Sequence, residues 1–133
     1  MSGRFLDTNV LVYLASADAR KADVAERLLA EGGTVSVQVL NELANVARRK
    51  MRLGWDETAA FLGAIRPFVT VVPVTAETHE LGLALAERYG LSVYDAMIAA
   101  AGLLAGCGEL LSEDMQDGMV LAGELRVENP FRG

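Results

Sequence analysis

Apolar positions along this 133-residue chain follow two rhythms. Five short runs are β-branched or continuously apolar and suit strands: 4–7, 34–37, 69–74, 109–112 and 125–127. Pro73 places the 69–74 run at a sheet edge, because proline gives no N–H to a ladder. Between the runs, apolar residues recur every three or four positions. Val10, Leu11 and Leu14 start a helical stripe that stops near Ala17-Asp18-Ala19. Val24, Leu28 and Leu29 share one face of a helix over 20–31 that Gly32-Gly33 ends. Val39, Leu40, Leu43, Val46 and Ala47 carry the period to about residue 53, with Gly54 just past the end. Asp56 is the expected N-cap of a helix over 57–66. Thr75 to Tyr89 forms the next, with Leu81, Ala84 and Leu85 inward and Gly90 as stop. Ser92 caps a last one over 93–105.

Strands separated by helix pairs predict an α/β fold. Specifically, they predict three α/β/α layers around a central, mostly parallel sheet of about five strands with right-handed crossovers. The length suits a single domain over 1–133. No repeat, low-complexity stretch or linker interrupts it.

Composition narrows the class. Apolar residues make up 52%, enough for a substantial core, yet no run reaches membrane-spanning length. Met1-Ser2-Gly3-Arg4 leads straight into a strand without the pattern of a signal peptide, and the single Cys107 excludes an internal disulfide framework. A cytoplasmic protein with no membrane association is expected. The net charge of −6 argues against nucleic-acid binding at first sight. The argument weakens if several acids share a cation-filled pocket. In addition Arg48, Arg49, Lys50 and Arg52 fall within five positions. That run either complements a helix C-terminus or makes a phosphate-contacting rim.

The acids are the chemistry-bearing residues. Asp7 ends the first strand, with Asn9 two residues on. Glu42 lies early in the helix after the second strand. Asp95 sits at capping-box distance from Ser92, ahead of the almost wholly apolar Ala-Met-Ile-Ala-Ala-Ala-Gly. Asp114 follows the 109–112 strand, with Glu113 and Asp117 as competing acids. Each alone has an ordinary explanation: a helix cap, a solvated helix face, a surface turn. Together they sit where ligands bind in open α/β sheets, outside the carboxyl ends of strands. Carboxylates crowded there raise one another's pKa unless a cation joins them. A hard divalent ion with oxygen ligands is the economical occupant. The lone His79 sits beside Glu77 and Glu80 and supports neither a zinc site nor a Ser-His-Asp triad, and no phosphate-binding glycine motif occurs.

Phe5-Leu6-Asp7-Thr8-Asn9-Val10-Leu11, Glu42 in Val-Leu-Asn-Glu-Leu, Val93-Tyr94-Asp95-Ala96 and Leu111-Ser112-Glu113-Asp114 resemble the PIN-domain nucleases, in particular VapC-type toxins of toxin–antitoxin pairs. Spacings of 35, 53 and 19 residues between the acids fit a compact member. The resemblance implies a Mg²⁺- or Mn²⁺-dependent endoribonuclease, homodimerisation, and inhibition by a small cognate antitoxin whose C-terminal segment blocks the acidic pocket. It puts the family acids on Asp7, Glu42, Asp95 and Asp114, with Asp7, Asp95 and Asp114 as metal ligands and Asn9 and Ser112 as polar partners. Asp117 or Glu113 is an additional candidate acid. Arg48, Arg49 and Lys50 are candidate RNA contacts, joined by Arg20 and Lys21. A receiver domain would need paired acids at the first strand and a late lysine, and none follows Lys50. A dehalogenase-like phosphatase would need a second Asp where Asn9 stands. A non-catalytic PIN-fold module whose acidic pocket holds a basic peptide is the alternative.

Overall fold

The computed structural model describes residues 3–132; Met1, Ser2 and Gly133, at the ends of the expected 1–133 domain, lie outside the described residues. Six strands form one sheet in the order β3-β2-β1-β4-β6-β5. They are β1 (Arg4–Leu6), β2 (Gly33–Ser36), β3 (Val69–Val72), β4 (Glu109–Leu111), β5 (Val120–Leu121) and β6 (Leu125–Glu128). Five run parallel; β5 pairs antiparallel with β6. β3 occupies the expected edge.

The sheet therefore has one more strand than the hydrophobic pattern predicts. β5 is only two residues long, too short for periodicity to reveal. Its turn is also disguised. Ala122 and Gly123 both take positive φ, 53° and 69°, as a tight hairpin turn of the primed type requires, yet alanine rarely occupies that place.

Helices α1 (Thr8–Val12), α2 (Ala19–Glu31), α3 (Val37–Arg49) and α4 (Trp55–Ile65) carry the chain from β1 outward to β3. Helices α5 (Ala76–Tyr89) and α6 (Val93–Leu104) then pack on each other and return it to β4, on the other side of β1. With right-handed crossovers, reversing the direction of travel puts α5 and α6 on the opposite face, which gives three layers. Phe5, Leu6, Val35, Leu110, Leu111 and Val127 are buried in the sheet, and α6 is buried from Ala96 to Gly102. Strand β1 is covered on both faces, as parallel sheets require.

Local chemistry moves several helix ends. Ser36 caps α3 by accepting from the Val39 amide, so the helix starts at Val37 instead of the strand ending there. Helix α3 stops at Arg49, four residues before the expected end, and a corner closes from 50 to 54. In it the Met51 amide bonds to the Val46 carbonyl, the Leu53 amide bonds to Ala47, and Arg52 takes φ 57°. Gly54 is then the N-cap of α4, a role predicted for Asp56, and the Glu57 carboxylate accepts from the Gly54 amide at 2.9 Å. Ala84 is exposed, so only Leu81 and Leu85 face inward from that trio.

Candidate metal centre

Strand β1 pairs with β2 on one side and β4 on the other, and the chain reverses its course across the sheet between them. This is the switch point at which loops diverge and leave a crevice. Asp7 follows β1 there, held in line by its amide bonding to the Leu111 carbonyl of β4 at 3.0 Å. Asp7 is 3% exposed, and three donors reach its carboxylate, leaving one position open on Oδ1. Oδ1 accepts from the Thr8 amide at 2.7 Å, capping α1, and Oδ2 accepts from the Ser112 hydroxyl at 2.8 Å and from Asn9 Nδ2 at 3.1 Å.

Above Asp7 opens a cleft of about 560 Å³ whose lining includes Glu42, Asn45, Lys50, Asp95, Glu113 and Asp114. Each acid comes from a different element for a local reason. Glu42 lies on the boundary of the buried stripe of α3; it accepts from Thr8 Oγ1 at 2.6 Å and from Gln38 Nε2 at 2.9 Å. Asp95 is in the first turn of α6, whose start is fixed by Ser92 accepting from the Asp95 amide. Asp114 lies in the loop after β4 and is exposed.

The three acids after β4 separate. Glu113 is taken by Lys21, whose Nζ lies 2.7 Å from Oε2, and by the Tyr13 hydroxyl. Lys21 also donates to Tyr13 at 3.0 Å. Asp117 lies outside the cleft, accepting from the Asn129 amide at 2.8 Å and pairing with Arg132. Of the three, Asp114 alone faces the cleft without an ion pair among the described residues.

Electrostatics mark the cleft. Burial first, with the charges of Asp95 and Glu42, outweighs the hydrogen bonds from Ser112 and Thr8 and pushes the Asp7 carboxyl up to about 6. Asp95 is also raised, by burial and by the charges of Asp114 and Glu42, against the Ser92 hydrogen bond. Burial raises Glu113 too, but the Lys21 ammonium and Tyr13 hydroxyl prevail and hold it below the usual carboxylate range.

As placed, no group of three or more His, Cys, Asp or Glu side chains among the described residues is gathered tightly enough to hold a metal ion. The donor set fits a hard cation nonetheless. It is all oxygen and carries unneutralised negative charge, and Mg²⁺ takes only one or two carboxylates, filling its shell with water and substrate phosphate. A larger, mostly apolar cleft lies alongside between α3, α5 and α6. It holds His79 and Tyr94 but only Glu42 of the acids.

The basic residues divide as well. Lys50 lines the acidic cleft. Arg48 donates to the Leu53 carbonyl at 2.9 Å and lies over the Trp55 ring, and Arg49 is exposed nearby. Lys21 is committed to Glu113, and Arg20 donates to the Phe131 carbonyl at 2.7 Å. The two residues from α2 thus serve the chain itself. Thr8, Tyr13 and Trp55 were not singled out in the sequence; of these, only Thr8 had a local signal, standing between Asp7 and Asn9.

An α/β domain with an acidic cleft at its switch point is the class these observations define. The PIN domain model matches residues 4–116, and the chain belongs to that family. A comparison with curated proteins finds no match. Among solved structures, VapC20 of Mycobacterium tuberculosis, described as a sarcin–ricin-loop-cleaving toxin, is 25% identical over 84% of this chain and 89% of its own, with a TM-score of 0.66. A toxin–antitoxin complex from Klebsiella pneumoniae is 22% identical over 96% and 97%, with a TM-score of 0.71. DNA-bound VapBC from Salmonella typhimurium is 18% identical over 98% and 99%, at 0.69. The last two likenesses speak for the fold alone.

Proposed function

We propose that this chain is a Mg²⁺- or Mn²⁺-dependent endoribonuclease, the toxin of a toxin–antitoxin pair, hydrolysing RNA phosphodiester bonds in the acidic cleft. The observation that carries the reading is the gathering of Asp7, Glu42, Asp95 and Asp114 around one crevice, with Asp7 raised to about 6 by burial and like charge. A structural cluster would be neutralised by the chain's own cations, as Glu113 is by Lys21. The family and the likeness to a ribonuclease toxin support the same reading.

Asp7, Asp95 and Asp114 would hold the cation. Once bound, it supplies charge stabilisation at the scissile phosphate and makes water a usable nucleophile near neutral pH. Asn9 and Ser112 fix the Asp7 carboxylate by hydrogen bonding. Glu42, steadied by Thr8 and Gln38, takes the proton that the attacking water gives up. Water oxygen bonds to phosphorus as the bond from phosphorus to the 3′-oxygen breaks, and the departing oxygen takes a proton from solvent water, leaving a 5′-phosphate and a 3′-hydroxyl. Lys50, Arg48 and Arg49 border the path of the strand and meet its phosphates. Single-stranded or looped RNA bends most easily into such a cleft. A small antitoxin would inhibit by laying a C-terminal segment over the acids. Homodimerisation belongs to the same proposal.

The test is cleavage of RNA by the purified chain freed of any partner. Cleavage with Mg²⁺ or Mn²⁺, stopped by chelation and lost in folded Asp7→Asn and Asp95→Asn, is the expected result. If the wild type cuts no RNA with either cation, the reading fails, and an acidic pocket for a basic peptide takes its place.

A further inference from the structure

We propose that the corner between α3 and α4 is a nucleobase-stacking platform, with Trp55 receiving a base of the RNA strand and Arg49 and Lys50 the phosphates on either side. The inference deepens the ribonuclease reading and rests on it.

Trp55 is the chain's only tryptophan, and it is 72% exposed. A single exposed aromatic is ordinary, but this one is held in place. The Arg48 guanidinium lies 3.9 Å from the ring centroid, and its own orientation is fixed by the bond to the Leu53 carbonyl. The 50–54 corner beneath is closed by backbone bonds, with Gly54 and Glu57 setting the start of α4. An indole ordered before its ligand arrives binds at lower entropic cost.

The surroundings match a polyanionic strand. Arg49, Lys50 and Arg52 make no ion pair with the chain's acids among the described residues, whereas Arg4, Lys21 and Arg132 do. A cavity of about 430 Å³ lined by Asn45, Arg48, Arg49 and Trp55 meets the acidic cleft at Asn45, a residue common to both. Glu42 and Arg49 are two turns apart on α3, about 10 Å. A strand leaving the cleft along α3 would pass Lys50 and Arg49 and reach Trp55. Aromatic stacking beside unpaired cations is how single-stranded nucleic acids are held without reading their sequence.

Because Trp55 is unique, its emission reports the contact directly. A single-stranded RNA oligonucleotide, added to the wild-type chain in EDTA at low ionic strength so that no cleavage occurs, should quench it saturably. Trp55→Ala should weaken binding of the same labelled RNA roughly tenfold, and Trp55→Phe should recover most of the loss. Arg49→Ala should lower the slope of log affinity against log salt by about 0.7. In turnover, Trp55→Ala should raise KM and leave kcat in place. Absence of quenching, whether RNA binds elsewhere or not at all, overturns the platform. An emission shift that follows protein concentration alone also overturns it, since Trp55 would then face a second copy. Quenching without metal-dependent cleavage would sink the ribonuclease reading and spare the platform; cleavage with an unresponsive Trp55 would do the reverse.

Discussion

Glu113 and Asp7 stand on opposite sides of Asn9, and the chain treats them in opposite ways. Asn9 accepts from the Glu113 amide and donates to the Asp7 carboxylate, linking the Glu113 backbone to the Asp7 side chain. Glu113 receives a lysine at 2.7 Å and a tyrosine hydroxyl, and its pKa falls. Asp7 receives only neutral donors, Ser112, Asn9 and the Thr8 amide, and its pKa is pushed up by burial first and then by Asp95 and Glu42. Where an acid has a structural task, this fold supplies the counter-charge. At the switch point Asp7, Glu42, Asp95 and Asp114 make no ion pair among the described residues, and the proposed cation would supply the missing charge.

The largest effect that would sharpen this contrast is on cleavage. Asp7→Asn or Asp95→Asn should lower RNA turnover by about a thousandfold or more, the equivalent of losing several kcal/mol of cation-dependent stabilisation. Glu113→Gln should leave turnover within about tenfold, since a carboxylate already paired has little to give a cation. Equal losses at both positions would erase the distinction. Next comes Ser112→Ala. It removes a buried donor from Asp7 without touching a proposed ligand and should lower turnover about 10- to 100-fold, as loss of a ligand's supporting hydrogen bond does.

Stability against pH gives a third, smaller contrast with a definite sign. In the cation-free chain the Asp7 carboxyl holds its proton more tightly folded than unfolded. Its contribution is therefore fully present below about pH 4 and is lost as pH rises through 6. The loss is on the order of 3 kcal/mol. Asp7→Asn, denatured in EDTA, should gain on the wild type across that window and match it most closely at pH 4. Glu113 runs the other way. Its pKa is depressed by the fold, so its stabilisation is present at neutral pH and fades as pH falls through the lowered value. Glu113→Gln should lower the melting temperature at pH 7 by no more than roughly a few degrees, and less in acid.

Much of this architecture is readable along the chain because it is local. The acids that line the cleft lie just after strand ends or within the first two turns of helices, so alternation of strand and helix is enough to bring them to one edge. β5 escaped because two residues carry no period and its hairpin turn uses Ala122. The 50–54 corner escaped because Gly54 suits the end of one helix as well as the start of the next, and only the Glu57 side chain decides. The choice among Glu113, Asp114 and Asp117 was illegible for a different reason. It depends on Lys21 from α2 and on the Asn129 amide after β6, partners 92 and 12 residues away. The partners of Arg20 and Lys21, the Phe131 carbonyl and Glu113, are likewise distant along the chain and likewise hidden in it.

Calorimetric titration of Mn²⁺ into the purified chain at pH 7.5 tests the central claim most directly. Saturable binding is expected, abolished by Asp7→Asn and by Asp95→Asn, retained by Glu113→Gln, and weakened at pH 5, where Asp7 holds a proton. Binding that survives both aspartate substitutions, or that disappears with Glu113→Gln, would contradict the assignment of the cation to the switch-point cleft.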